Sequence, residues 1–97
     1  MAILIDPPTW PAHGTLFSHL VSDESHEELH AFAAATGVSP RAFDHDHYDV
    51  PQHIYDHLVA HGAVPVRSKE LVQRLVASGL RRRKHQRPSA GPVITPD

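Results

Sequence analysis

Apolar and polar positions along the chain follow two periods, and each change of period marks an element. Ala2 to Ile5 is a short apolar run halted by Asp6-Pro7-Pro8, which predicts a buried first strand with Asp6 at its C-terminal end. Thr9 to Gly14 reads as a loop, and Thr15 to Val21 (TLFSHLV) as a second strand with His19 inside it. Ser25-His26-Glu27-Glu28 has the Ser-x-x-Glu form of a capping box, which satisfies the free N–H groups at a helix start. The helix then runs to about Thr36, with Leu29, Phe32, Ala33 and Thr36 on one face and Gly37 as its stop. Asp23 and Glu24 precede it, where negative charge suits the positive end of the helix dipole.

Pro40 to Val50 has no helical period and is expected to be irregular or extended. Pro51 suits the first residue of a second helix, which would bury Ile54, Tyr55, Leu58 and Val59 and close at Gly62. Ala63 to Val66 is a further short strand, placed at an edge or a strand end by Pro65. Ser68 is expected to cap a third helix with the face Leu71, Val72, Leu75 and Val76. From Arg81 onward the periodicity stops. The order β-β-α-extended-α-β-α predicts one small α/β domain over residues 1–80, with a short mixed sheet of three to four strands packed with three helices. Residues 81–97 are expected to form a disordered basic tail.

Composition narrows the chemistry. There is no cysteine in the 97 residues, so disulfides and thiolate metal sites are excluded. No apolar run is long enough to span a bilayer, and the N-terminus lacks a basic leader, so cytoplasmic residence is expected. Residues 81–97 hold five Lys/Arg against one Asp, or +4, whereas residues 1–80 hold four Lys/Arg against ten Asp/Glu, or −6. The acidic body repels a phosphate backbone, and the tail is the part that would contact nucleic acid. Nine of the ten histidines lie in the acidic part, where carboxylates favour protons or cations on imidazole.

Three histidine patterns stand out. HEELH, His26 to His30, matches the H-E-x-x-H arrangement of zinc proteases, but it starts one residue after the expected cap and has no third ligand spaced to follow it. His53, His57 and His61 recur every four residues, drifting about 40° per step on one side of the second helix; a solvated polar face is the plainer reading. DHDHYDV, Asp44 to Val50, is the stronger case. In an extended backbone His45, His47 and Asp49 would point to one face, and imidazole with carboxylate is a donor set for zinc, iron or manganese. Asp6 at a strand end, His13 beside Gly14 and His19 within a strand supply further ligands of the same kind.

The segments ILIDPPTWPAHG, LFSHLVSD, EELHAFAAATGV, HYDVP and GAVPVRSKELVQRL together resemble the domain-of-unknown-function family 4031, found in actinobacterial and phage proteins. The resemblance covers nearly all of residues 1–80. It carries over to Asp6, Trp10, His13, Gly14, His19, Asp23, Glu28, Leu29, His30, His47, Tyr48 and Asp49, and not to His26, His53, His57 or His61. It implies a shared polar site without naming its chemistry.

The expectation is therefore a histidine/carboxylate site in a small α/β domain. His13, His19 and His47 would be metal ligands or proton-transfer groups, with Asp6 and Asp49 as ligating or orienting carboxylates. His19, His47 and Asp49 are the expected catalytic groups. Trp10 and Tyr48 would wall the pocket, and His30 would border it. Zinc is the first choice among divalent transition metals, and hydrolysis of a phosphoester or amide in a small molecule is the simplest chemistry. No lysine or arginine of the body sits beside these residues in sequence to hold a phosphate, which weakens the phosphoester version; Arg41 is the nearest. The other readings are a non-enzymatic module contacting nucleic acid or protein through its basic tail, and a structural polar cluster that pins loops.

Overall fold

The sheet is assembled on β3 (Thr15–Ser22), the longest strand in the computed structural model, which describes residues 2–80. Along one edge β3 has two partners in succession. Its first residues pair with β2 (Trp10–Ala12) across the His13-Gly14 turn, and its last residues pair antiparallel with β1 (Ile3–Ile5). Along the other edge it pairs with β5 (His47–Pro51), which is joined by a tight turn to β4 (Phe43–Asp44). β6 (Val64–Pro65) lies parallel to β1. The order is β4-β5-β3-β1-β6, with β2 sharing the edge of β3.

The sheet is mixed, as expected, but has six strands rather than three to four. The difference has a local cause. β2 is Trp-Pro-Ala with all three residues exposed, so it carries no burial alternation to read. β4 has two residues, and β5 is masked by its charged and imidazole side chains, although the extended backbone expected there is present.

Three helices cover the sheet: α1 (His26–Thr36), α2 (Tyr55–Ala60) and α3 (Ser68–Ala77). Strand alternation sends Ile3, Ile5, Leu20, Tyr48 and Val50 to one face, where they bury Leu29 and Ala33 of α1 and Leu58 of α2. Leu4 and Val21 point the other way, onto Leu71 and Leu75 of α3. The result is helix, sheet, helix in three layers.

The helix ends support two expectations and correct three. Ser25 accepts the Glu28 N–H at 3.0 Å, and Gly37 closes α1 in the left-handed conformation, with φ 82°. The return half of the capping box is redirected: Glu28 takes the hydroxyl of Ser22. Pro51 ends β5 opposite Phe17 instead of opening a helix, and the single 3₁₀ turn Gln52–Ile54 separates it from α2. Proline's fixed φ suits either position. Ser68 is the first residue of α3 rather than its cap, because Arg67 holds the capping position and the Ser68 hydroxyl is used elsewhere.

No helix among the described residues is long and apolar enough to cross a membrane. The expected tail at residues 81–97, and the nucleic-acid contact assigned to it, lie outside the described residues.

Candidate metal centre

Register alone brings the central side chains together. His19 on β3 lies directly opposite Asp49 on β5, and His47 precedes Asp49 by two residues, so it projects from the same face. The His19 and His47 ring centroids are 5.1 Å apart, and His47 Nε2 is 3.2 Å from Asp49 Oδ1. One ligand atom from each of the three side chains falls within 4.8 Å of the others, a spacing that one metal ion can span. α3 covers the Leu4/Val21 half of this face and stops short of these residues, so they line an open cleft of roughly 1060 Å³.

Each imidazole is held from behind by a carboxylate. Asp6 follows β1, and its N–H continues the ladder to the His19 carbonyl at 3.2 Å. Its side chain is 1% exposed and accepts three hydrogen bonds: the His19 N–H at 2.6 Å, the His19 ring Nδ1 at 2.9 Å and the Ser68 hydroxyl at 2.9 Å. Burial pushes the Asp6 carboxyl up. The bonds from the His19 ring, the His19 N–H and Ser68 more than offset this and hold it below the ordinary carboxylate range. An ionised Asp6 can only accept, so His19 Nδ1 carries a hydrogen and Nε2 is the nitrogen left for a ligand.

His47 repeats the arrangement. Its Nδ1 is 2.8 Å from Asp46 Oδ1, which leaves Nε2 on the side of Asp49. A nitrogen lone pair and a carboxylate oxygen 3.2 Å apart repel unless a proton or a cation lies between them. The geometry thus holds two imidazoles and one carboxylate around a point suited to positive charge.

The remaining expected residues divide. Trp10 lies beside the cleft, 56% exposed, with its ring edge-on to His19 at 5.1 Å. His13 also lines the cleft, from the β2–β3 turn, but its ring packs on Phe17 at 6.1 Å and it stands outside the three-residue group. Asp6 is outside that group too, behind His19. Tyr48 does not wall the cleft. Strand alternation turns it to the opposite face of β5, where it is 2% exposed and hydrogen-bonded to His30 Nδ1 at 2.7 Å. His30 therefore borders Tyr48 rather than the cleft. His45 does not share a face with His47 and Asp49, because it occupies the β4–β5 turn with φ 62°.

Sequence reasoning missed two residues. Asp46 falls on the far side under strict alternation, which fails inside a turn. The readable signal was an aspartate directly before a histidine at a tight connection. Ser68 was assigned to capping, and nothing in sequence links it to a residue 62 positions earlier.

The other histidine patterns have structural partners. His26 and His30 pack on Phe43, with ring centroids at 5.7 and 4.7 Å, and no third ligand joins them among the described residues. His57 Nε2 meets the Thr36 carbonyl at 3.1 Å, and His61 Nδ1 meets the His57 carbonyl at 2.9 Å.

A protein-family model described as a protein of unknown function (DUF4031) matches residues 3–78, a span that contains every residue of the cleft and its supports. No curated protein and no solved structure matches the chain.

Proposed function

For a chain that belongs to the DUF4031 family, we propose that His19, His47 and Asp49 bind one divalent transition metal, zinc first, and that the cleft above it carries out hydrolysis. The observation that carries this reading is the pair of Nδ1–carboxylate bonds, His19 to Asp6 and His47 to Asp46. Metal-ligating histidines typically give their second nitrogen to a carboxylate, which fixes the tautomer and makes the ligating nitrogen more basic. Two histidines and one carboxylate leave a coordination position open, as in catalytic zinc sites. The same donor set also suits Fe(II).

A metal held there supplies acidity to bound water, lowering its pKa to about 7. The chain's own residues supply the rest. Asp6 and Asp46 orient the two imidazoles through their Nδ1 atoms. Asp49, its side chain 46% exposed, lines the cleft from β5 and is placed to take a proton as well as to ligate. Amide and phosphoester substrates both fit this chemistry, and the phosphoester version gains support from Arg41, which lines the cleft.

The test is metal analysis of untagged full-length protein, followed by zinc titration. One zinc per chain is expected, and His47→Ala should lose it while keeping the fold by circular dichroism. Stoichiometric zinc retained in His47→Ala, or no zinc bound by the wild type, contradicts the reading.

A further inference from the structure

The described lining of the cleft carries more carboxylates than cations. Among the described residues that line it, Asp6, Asp44 and Asp49 stand against the single guanidinium of Arg41 and no lysine. Arg41 sits on the 3₁₀ turn Pro40–Ala42, whose backbone is held by Ser39 accepting the Arg41 N–H at 3.2 Å. Its side chain is exposed and makes no ion pair with any described residue, although Asp44 lines the same cleft. A fixed backbone with an unused planar cation facing a cavity is an arrangement suited to a carboxylate or phosphate.

The second feature is apolar. Trp10 is the chain's one tryptophan, and more than half of it is exposed inside this concavity. Val72, 40% exposed, lines the cleft from α3, and Phe17 does so from the β3 position paired with Trp10. The indole stands perpendicular to the His19 ring, with centroids 5.1 Å apart, which places a flat aromatic plate next to the proposed metal ligands. Exposed apolar area of this kind, with a few convergent polar groups, is the usual make-up of a small-molecule site.

We propose that the cleft takes a small anionic molecule bearing a flat or apolar group: the anion on Arg41, the apolar group against Trp10, and the bond to be broken over His19, His47 and Asp49. The placement of the reacting bond rests on the metal reading above; the Arg41 and Trp10 subsites do not.

Trp10 fluorescence reads the cleft directly, because no other tryptophan contributes. Full-length protein, with and without one equivalent of zinc, is titrated with phenylphosphonate, benzoate and the neutral control benzamide. The expected result is binding of one of the two anions at least tenfold tighter than benzamide. Phenylphosphonate as the tighter ligand identifies a phosphoryl group, and benzoate a carboxylate. Arg41→Gln should lose at least tenfold for that anion, and Trp10→Leu at least threefold by calorimetry, both with zinc stoichiometry unchanged. Equal affinity for all three probes, or an Arg41→Gln protein that binds the anion as the wild type does in both forms, overturns the inference. Failure to bind zinc alone strikes the metal reading and leaves the anion comparison, made without zinc, to decide this one.

Discussion

Asp6 concentrates the residue-scale physics of the site. One carboxylate, at the strand end where β1 and β2 exchange along β3, accepts the backbone N–H and the imidazole of His19 and the hydroxyl of Ser68. An amide at this position has one accepting oxygen for three donors, and its NH₂ group faces a donor. Asp6→Asn is therefore expected to cost about 1–3 kcal/mol in urea unfolding. It should also weaken zinc binding by about 10–100-fold. Asp46→Ala should produce a similar loss of zinc affinity with a smaller loss of stability, since Asp46 lies at a turn. Equal zinc affinity in both variants and the wild type would mean that the carboxylates do not orient the rings. At this scale Asp6, His19, His47 and Asp49 were legible because each sits at a strand end or on a strand of period two. Asp46, Ser68 and the true orientation of Tyr48 depended on where β5 begins, which a charged heptad does not reveal.

At the scale of elements, the site exists because β3 changes partner. β2 leaves its edge at Phe17 and β1 takes over at Leu20, so Ser18 and His19 lie at the exchange, with Asp6 bridging the gap. The β2–β3 turn, with His13 at φ 50° and Gly14 at φ 78°, holds Trp10 over the cleft. Gly14→Ala forces a Cβ into that left-handed position and should cost about 1–2 kcal/mol in chemical denaturation. Its Trp10 emission should also shift to the red as the hairpin loosens; an unchanged midpoint and spectrum would show that the turn tolerates a side chain. The long helices were legible from 3.6-residue periodicity and from Ser25 and Gly37. β2 and β4 were not, because three exposed residues and two edge residues leave no period to detect.

Across the whole molecule, the ends of the fold are tied by one ion pair. Asp23, at the end of β3, accepts the Ala2 N–H at 2.7 Å and the Arg74 guanidinium of α3 at 2.7 Å. Burial pushes this carboxyl up, but the Ala2 N–H and Arg74 prevail and hold it at about 2. Its pKa is lower folded than unfolded, so the stability it contributes is present above about pH 4 and is lost as pH falls toward 2. Arg74→Met should lower stability at neutral pH by up to about 1 kcal/mol, because the guanidinium is partly solvated. It should also flatten the acid limb of the stability curve between those pH values. An acid limb unchanged from the wild type would place the pH dependence elsewhere. The α/β class, the three helices and the acidic body were legible from the chain. What the sequence lacked was the coverage of each face, since only packing shows that α3 shields Leu4 and Val21 but leaves His19 open.

The central claim is that two imidazoles and one carboxylate share a point in space that a metal ion occupies. It is tested most directly by anomalous diffraction from crystals of the untagged protein grown with zinc, measured on both sides of the zinc absorption edge. A single strong peak is expected about 2.0–2.2 Å from Nε2 of His19, Nε2 of His47 and a carboxylate oxygen of Asp49. Zinc found only on surface histidines such as His57 and His61, with His19, His47 and Asp49 bare, would contradict the account.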